Sequence, residues 1–210
     1  MLLIILLTSH FVQAQVEMGI DKTLKFDEID YCPFTCNPDK ENGKEGIMID
    51  VLKLSFEPLG YHVSFDIMPY SRAVNEVKSG RYHGIAIVIN QHVLYLIYPE
   101  VHTIKKNLAM VAPYGFDFSN TTIESIKANK LVVVQDYKYD NKNPTIDDYI
   151  AKNKLNKNKT IFLTGNDTVE RALKLLVNNR ADVIIKNRLT AEYYVAKLKL
   201  QNKIGFSYVD

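Results

Sequence analysis

The sequence has no marked excess of charge of either sign. Its 210 residues include 26 basic and 24 acidic side chains, so the formal net charge is only +2. Proteins that bind nucleic acid concentrate many more cations on one face. The densest basic run here, 152–159, is interleaved with asparagine and contains no aromatic residue. We therefore expect no nucleic-acid partner, and we interpret this run as a solvated helix end and loop.

Long apolar runs are scarce as well. Residues 1–15 are apolar through Leu7 and end with small residues at Val12 and Ala14, which predicts a secretory signal peptide. A permanent anchor is the weaker alternative, because roughly eleven apolar residues are too few to cross ~30 Å of hydrocarbon. No later run approaches the ~18 apolar residues of a membrane span. The chain after residue 15 is therefore expected to be exported and soluble.

Cysteine is limited to Cys32 and Cys36. Two thiols without further ligands at a recognisable spacing do not make a zinc site, and their separation is one residue too long for a C-x-x-C redox motif. If the loop turns back, the two Cα atoms can reach the ~4.4–6.8 Å that a disulfide requires, and export keeps such a bond oxidised. We predict a Cys32–Cys36 disulfide, with no metal and no cofactor.

The short motifs of common catalytic sites are absent. The sequence contains no G-x-S-x-G, HExxH, G-x-x-x-x-G-K-[ST] or G-x-G-x-x-G, so serine hydrolases, zinc proteases and nucleotide-binding proteins lack their local residues here. The five histidines show no spacing typical of metal ligands. We therefore expect a protein that is not an enzyme.

What the chain does contain is an alternation of strand and helix patterns. Apolar residues recur every three or four positions in 48–59 and 169–177, which predicts helices, whereas 61–67 alternates apolar and polar residues like a half-buried strand. Two rounds of this alternation meet near 101–111. They predict an α/β protein of two lobes, each a mostly parallel sheet flanked by helices, with a ligand cleft between the lobes.

Several short segments, taken in order, resemble one protein family. They read YCPFTC at 31–36, GIMID at 46–50, MPYSRA at 68–73 and ADVII at 181–185. Together they resemble the solute-binding proteins of ABC importers, family 3, the polar amino-acid type, and the resemblance spans 25–208. It implies the type II periplasmic-binding-protein fold, in which two α/β lobes joined by two crossing hinge strands close on a solute.

The resemblance also implies where the lobes begin and end. The first lobe would cover 16–103 and the second 104–203, with one hinge strand at 104–111 and the second at 204–210. In members of this family, the chain returns to the first lobe after the second hinge strand and adds a further strand and helix there. We therefore expect a C-terminally truncated frame, the alternative being a first lobe with an exposed sheet edge.

Candidate ligand-binding side chains follow from the same resemblance. In the first lobe they are Phe34, Tyr70, Arg72 and Asn90, although the two aromatic residues could instead belong to the core and Arg72 to the surface. In the second lobe they are Asp136, Tyr137, Tyr139, Asn166, Thr168, Asn187 and Arg188. The helix N-terminus at 166–168 offers free amides to an anionic group, and we interpret Asp167 as its N-cap.

Two segments depart from the amino-acid binders of this family. The segment 90–99 contains no arginine to hold an α-carboxylate, and Lys186 with Asn187 stands where an acid usually pairs with the α-amine. Asn187 accepts a hydrogen bond but carries no charge, so a standard amino acid would lose an ion pair. Another polar metabolite or a peptide-like compound then becomes a candidate solute.

The resemblance implies a monomeric, periplasmic solute-binding protein that captures a small polar, amino-acid-like solute by lobe closure for an ABC permease. Three alternatives stay open. The first is a sensory or interaction module of the same fold. The second is a dehydratase-like enzyme that uses Asp136 and Asp167 as acid and base. The third is a decayed copy.

Overall fold

The computed structural model describes most of the chain. The described residues are 22–88, 96–101, 103–104, 107–119, 122–135, 137, 139, 145–165 and 167–208. The predicted signal peptide, 1–15, lies outside these ranges. Within them, no helix combines the length and the apolar character that a bilayer-spanning segment needs.

Strands and helices alternate along the described residues. The strands are β1 (Thr23–Glu28), β2 (His62–Ile67), β3 (Gly84–Ile85), β4 (Leu108–Pro113), β5 (Leu131–Val134), β6 (Thr160–Leu163), β7 (Val183–Asn187) and β8 (Ile204–Tyr208). The α-helices are α1 (Ile47–Phe56), α2 (Tyr70–Lys78), α3 (Ile123–Ala128), α4 (Thr145–Lys152), α5 (Thr168–Val177) and α6 (Arg188–Lys197). A 3₁₀ turn, Glu57–Leu59, follows α1.

The first three strands form a parallel sheet in the order β2-β1-β3. We call this part of the chain, with α1 and α2, the first lobe. β1 pairs with β2 along its whole length, whereas β3 pairs with β1 only at Gly84 and Ile85. The sequence predicts a longer strand at 84–89. In the structure β3 covers only Gly84 and Ile85 of this segment, and residue 89 lies outside the described residues.

The other five strands form a second sheet in the order β6-β5-β7-β4-β8. We call this part, with α3 to α6, the second lobe. β5 runs parallel to β6 and β7, whereas β4 runs antiparallel to β7 and β8. The segments expected to be hinge strands, 104–111 and 204–210, thus overlap β4 and β8, which are neighbours in this sheet.

Apolar side chains cover both faces of the second sheet. Val132 and Ile184 belong to the apolar cluster formed with α5 and α6, whereas Val133 and Ile185 belong to the cluster formed with α3 and α4. Successive strand residues point to opposite faces, so continuously apolar strands such as β5 and β7 are buried on both sides. This packing holds the ends of β5, β6 and β7 in fixed positions.

The two cysteines connect the lobes. Cys32 and Cys36 form a disulfide with their Cα atoms 4.8 Å apart, between the two residues expected from the sequence. Both are buried and belong to the same apolar cluster as Leu173 and Tyr194 of the second lobe. Residues 31–36, which we call the disulfide loop, are therefore a contact between the lobes.

Gly46 keeps the disulfide loop close to the start of α1. Its φ is +104°, and a Cβ at this position would lie only 2.5 Å from the carbonyl oxygen of Phe34. The close approach lets the amide of Met48 donate a hydrogen bond of 2.8 Å to that same carbonyl. Glycine tolerates both the backbone angle and the short distance, because it lacks a Cβ.

Asp27 is a buried acid in the central strand of the first lobe. Its side chain is fully buried, and its two carboxyl oxygens have no hydrogen-bond partner in the described part of the chain. Burial, together with repulsion from Glu76 and Asp66, raises the pKa of Asp27 to about 7. Burial of a lone carboxylate is costly, so the neutral form is favoured in the folded protein.

We predict that Asp27→Asn stabilises the protein at pH 8 but not at pH 4.5. Between the ordinary aspartate pKa and about 7, the folded state keeps a proton that the unfolded chain releases. The free energy of unfolding of the wild type therefore falls as the pH rises through this interval. The neutral amide removes that loss, which we expect to be on the order of 2 kcal/mol.

Urea unfolding at the two pH values tests this prediction. Asp148→Asn is the control, because Asp148 is an exposed aspartate on α4. An Asp27→Asn variant that loses the same stability at both pH values would contradict the prediction.

Candidate ligand-binding cleft

A cavity of about 340 Å³ is lined by residues of both lobes, a volume typical of small-molecule sites. Its walls follow the carboxyl ends of β1, β2, β3, β5, β6 and β7, the end at which open α/β sheets bind ligands. The lining residues are Ile29, Asp30, Tyr31, Phe34, Pro69, Tyr70, Ser71, Ile87, Val88, Ile104, Val134, Gln135, Tyr137, Leu163, Thr164, Gly165, Thr168, Lys186 and Asn187. We call this cavity the cleft.

Five of the predicted ligand-binding side chains are part of the cleft lining. They are Phe34, Tyr70, Tyr137, Thr168 and Asn187. Phe34 also belongs to a small apolar cluster with Met48, so its ring serves both the cleft wall and the packing of the first lobe. The structure thus brings residues that are distant in sequence to one place.

Arg72 does not line the cleft. Its side chain is 69% exposed, and its Nε lies 3.7 Å from a carboxylate oxygen of Glu76, one helical turn further along α2. Each helical residue turns about 100°, so two residues turn about 200°. Because Tyr70 lines the cleft, Arg72 stands on nearly the opposite side of the helix. The geometry therefore does not support the expected ligand contact of Arg72.

Tyr139 and Arg188 also lie apart from the cleft lining. Tyr139 is buried, and its hydroxyl accepts a hydrogen bond of 2.8 Å from the amide of Val134 at the end of β5. Arg188 donates a hydrogen bond of 2.6 Å to Glu192 on the same helix. Tyr139 therefore positions the strand end rather than touching the cavity. The other three predicted residues, Asn90, Asp136 and Asn166, fall outside the described residues.

Tyr31 contributes an aromatic ring to the cleft lining, and it was not among the ligand-binding residues predicted from the sequence. Its ring stacks on that of Phe34, with centroids 5.8 Å apart, and the backbones of Tyr31 and Thr35 pair across the disulfide loop. The Thr35 hydroxyl donates a hydrogen bond of 2.9 Å to the carbonyl of Ile29. Burial raises the pKa of the Tyr31 phenol well above its usual value. The loop thus presents two rigid rings.

Lys186 is the second missed residue. It lies near the end of β7, is only 7% exposed and lines the cleft. Its Nζ lies 4.5 Å from the ring centroid of Tyr31 and 5.2 Å from that of Tyr137, so the ammonium contacts a ring from each lobe. The sequence did contain a signal for this residue, namely a lysine directly after the apolar run 183–185. Lysine is seldom buried without a specific contact, so its position at the end of a buried strand indicates one.

Asp30 places a carboxylate in the same cleft. Burial raises its pKa, while a hydrogen bond from the backbone of Asn37 and the charge of Lys40 oppose that shift. The Nζ of Lys40 lies 4.0 Å from the Asp30 carboxylate. In the described ranges, no three histidine, cysteine, aspartate or glutamate side chains are grouped as metal ligands.

Asn187 and Thr168 lie at helix N-termini beside the cleft. Asn187 is the N-cap of α6, where its Oδ1 accepts a long hydrogen bond of 3.4 Å from the amide of Thr190. Thr168 is the first residue of α5. Both helices direct the positive end of their dipole to this side. The oxygen of Asn187 therefore accepts one hydrogen bond within the helix, and a carboxamide oxygen has a second lone pair.

A group of polar contacts, which we call the latch, joins the lobes outside the cleft. Glu41 of the first lobe is almost buried, accepts a hydrogen bond from the hydroxyl of Tyr193, and pairs with Lys197. Burial and the bond to Glu41 raise the pKa of Tyr193. Because Glu41 is shielded from water, removal of one partner should destabilise the protein more than the loss of an exposed ion pair would.

Asp167 joins the same interlobe contact. It occupies the N-cap position of α5, as expected, but its side chain makes no capping hydrogen bond. Instead its carboxylate accepts a hydrogen bond of 2.8 Å from Lys40 of the first lobe, and this bond lowers its pKa. Both side chains are largely exposed, so we expect this pair to add little stability.

We predict that Glu41→Gln weakens the contact between the lobes. Glutamine keeps an acceptor for Tyr193 but loses the charge that Lys197 faces, so the closed arrangement should be destabilised by about 1–3 kcal/mol. Small-angle X-ray scattering should show a larger radius of gyration for this variant. Glu124→Gln is the control, because its partner Lys127 lies on the same short helix. Identical scattering curves for Glu41→Gln and wild type would contradict the prediction.

Comparison with known proteins gives a likeness in structure only. No protein-family model and no curated protein matches the sequence. Solved structures are similar over most of the chain. One comes from work on glutathione import through GshT and the cystine ABC importer TcyBC of Streptococcus mutans. It has a TM-score of 0.69 and 19% identity, covering 91% of this chain and 77% of that one.

Two further structures have different roles. An ancestral arginine-binding protein bound to glutamine has a TM-score of 0.66 and 20% identity, over 91% of this chain and 81% of that one. A histidine kinase sensor domain with similarity to periplasmic binding proteins has a TM-score of 0.64 and 19% identity, over 89% of this chain and 76% of that one. At these identities the likeness shows the fold, and it confirms the predicted class of two α/β lobes.

Proposed function

We propose that this chain, which has the two-lobed periplasmic-binding-protein fold, captures a small polar, amino-acid-like solute between its lobes. One observation carries the proposal, namely a cleft with walls from both lobes at the carboxyl ends of their strands. A solute in such a cleft contacts both lobes only when they are closed. Its differential affinity for the closed state then drives closure.

The chemistry of the walls supports a polar solute with some apolar surface. Tyr31, Phe34 and Tyr70 provide aromatic faces, while Ser71 and Gln135 provide hydrogen-bonding groups. Aromatic walls bury the carbon skeleton of a ligand, and a few polar groups orient it. This combination suits an amino acid or a short peptide better than a purely aliphatic compound.

The names of the similar structures support the same solute class. Glutathione import, arginine binding and bound glutamine all concern amino acids or a peptide-like compound. We further propose that the protein acts outside the cytoplasm as a monomer, delivers its solute to an ABC permease, and releases it chemically unchanged. The likeness to a histidine kinase sensor domain favours a sensory module as the second candidate.

We predict that glutathione, L-arginine, L-glutamine or a related solute raises the melting temperature of the protein. A ligand at roughly a hundredfold excess over its Kd adds about 2.7 kcal/mol to the free energy of unfolding, which a thermal-shift experiment detects. Tyr70→Ala should weaken binding about tenfold or more, because the ligand loses an apolar wall.

Arg72→Ala is the matched control on the same helix and should bind like the wild type, since Arg72 points to solvent. The proposal fails if no solute of this class produces a saturable shift. A bound solute that is recovered as a different compound would indicate an enzyme instead. Capture without any effect on uptake by a permease would favour the sensory module.

A further inference from the structure

We propose that one edge of the second lobe docks on an anionic lipid surface and leaves the cleft open to solution. It is the edge at which β5 and β6 begin and β4 ends. We call it the basic edge, and its residues are Tyr114, Lys130, Lys152, Lys154, Leu155, Lys157, Lys159 and Lys203. The proposed solute capture makes no use of this surface.

Strand order brings lysines from distant segments to the basic edge. β5 and β6 are parallel neighbours whose first residues pair with each other. Lys130 and Lys159 directly precede these two strands, and the amide of Leu131 donates a hydrogen bond of 2.9 Å to the carbonyl of Lys159. The two lysines therefore occupy neighbouring positions where the strands begin.

β4 and β8 continue the edge across the sheet. β4 is antiparallel to both β7 and β8, so it ends, and β8 begins, at the edge where β5, β6 and β7 begin. Tyr114 directly follows β4 and Lys203 directly precedes β8, and the amide of Tyr114 donates a hydrogen bond of 2.8 Å to the carbonyl of Lys203. Five strands at the usual spacing make the edge roughly 19 Å wide.

The densest basic run of the sequence, 152–159, lies at one end of this edge. It contains the last residue of α4 and the turn that leads into β6. The amide of Thr160 donates a hydrogen bond of 3.0 Å to the carbonyl of Asn156, and the Thr160 hydroxyl donates one of 2.6 Å to the carbonyl of Asn153. Leu155 is nevertheless 93% exposed. A well-bonded turn therefore holds an apolar side chain at the surface between lysines.

The six lysines of the basic edge keep their charge unmatched. None of them forms an ion pair with a carboxylate among the described residues. Asp182 accepts a hydrogen bond of 2.7 Å from the amide of Lys130, and Asp148 lies one helical turn before Lys152. These two aspartates are fewer than the lysines, so the edge is positive although the net charge of the whole chain is only +2.

An anionic lipid surface is the partner that fits both the charge and the apolar side chains. Phosphate headgroups attract lysines that lie near the surface, and an exposed leucine enters the boundary between headgroups and acyl chains. Tyr114 is 75% exposed, and a tyrosine suits that boundary because its ring is apolar and its hydroxyl polar. A nucleic acid would use the lysines but not Leu155.

The basic edge and the cleft lie at opposite ends of the same strands. The cleft is at the carboxyl ends of β5 and β6, whereas the basic edge is at their amino ends. Each of these strands has four residues, so the two ends are about 13 Å apart. A molecule docked through the basic edge therefore keeps its cleft accessible.

Vesicle sedimentation tests the proposal with vesicles of phosphatidylcholine alone and vesicles of equal parts phosphatidylcholine and phosphatidylglycerol. The protein is used without residues 1–15, as export predicts, so that this apolar segment does not itself insert. In about 0.1 M NaCl the wild type should bind the anionic vesicles about tenfold or more tightly than the neutral ones. About 1 M NaCl should abolish the preference, because the screening length falls from ~10 to ~3 Å.

The double variant Lys154→Gln/Lys157→Gln should bind the anionic vesicles about tenfold more weakly than the wild type. Leu155→Ser should weaken binding about threefold or more with the same dependence on salt, because it removes an apolar contact and no charge. Lys22→Gln/Lys25→Gln is the matched control, since it removes the same charge from exposed positions of the first lobe. It should bind like the wild type.

Circular dichroism checks that each variant folds. Absence of binding, equal binding to both kinds of vesicle, or an equal loss in the edge variant and the first-lobe control overturns the docking edge. Displacement from the vesicles by a DNA duplex, together with unchanged vesicle binding of Leu155→Ser, overturns it as well and indicates a general affinity for polyanions. All of these outcomes leave solute capture intact, because the cleft lining contains none of the substituted residues.

Discussion

The packing of the disulfide loop into the second lobe is the contact on which the rest of the site depends. Cys32 and Cys36 are part of the apolar cluster that also contains Leu173 and Tyr194. Burial of apolar surface is non-directional, so by itself it would allow the lobes to slide against each other. The latch around Glu41 adds directional contacts nearby. Apolar area and polar geometry together place Tyr31 opposite Lys186.

Much of the fold was predictable because its determinants are local or periodic. The alternating residues of β2 and the helical spacing in α5 indicate their elements without reference to the rest of the chain. The helix predicted within 48–59 ends at Phe56, and the 3₁₀ turn that follows contains Pro58, which lacks the amide donor of a helix interior. The length of β3 was not predictable in this way, because pairing with β1 rather than the local apolar run determines which residues belong to the strand.

The cleft was only partly predictable, since its residues depend on contacts between distant segments. Asp167 occupies the position of a helix cap, but its side chain bonds to Lys40, which is 127 residues away in sequence. Arg72 belongs to the same segment as Tyr70 but faces solvent, because it lies two residues further along the helix, about 200° around the axis from Tyr70. Lys186 becomes significant only when a ring from the other lobe lies beside it. Five of the residues expected from the motifs line the cavity, and tertiary structure determines which side chains do so.

The sharing of one ammonium between two rings has a kinetic consequence. Tyr31 belongs to one lobe and Tyr137 to the other, so the pocket around the Lys186 Nζ is complete only while the lobes touch. Opening of the lobes would separate Tyr31 from the Lys186 ammonium, and closing would restore that contact. The rates of both motions would therefore include the breaking and remaking of a cation–π contact. A molecule enclosed between the lobes would leave only after that separation.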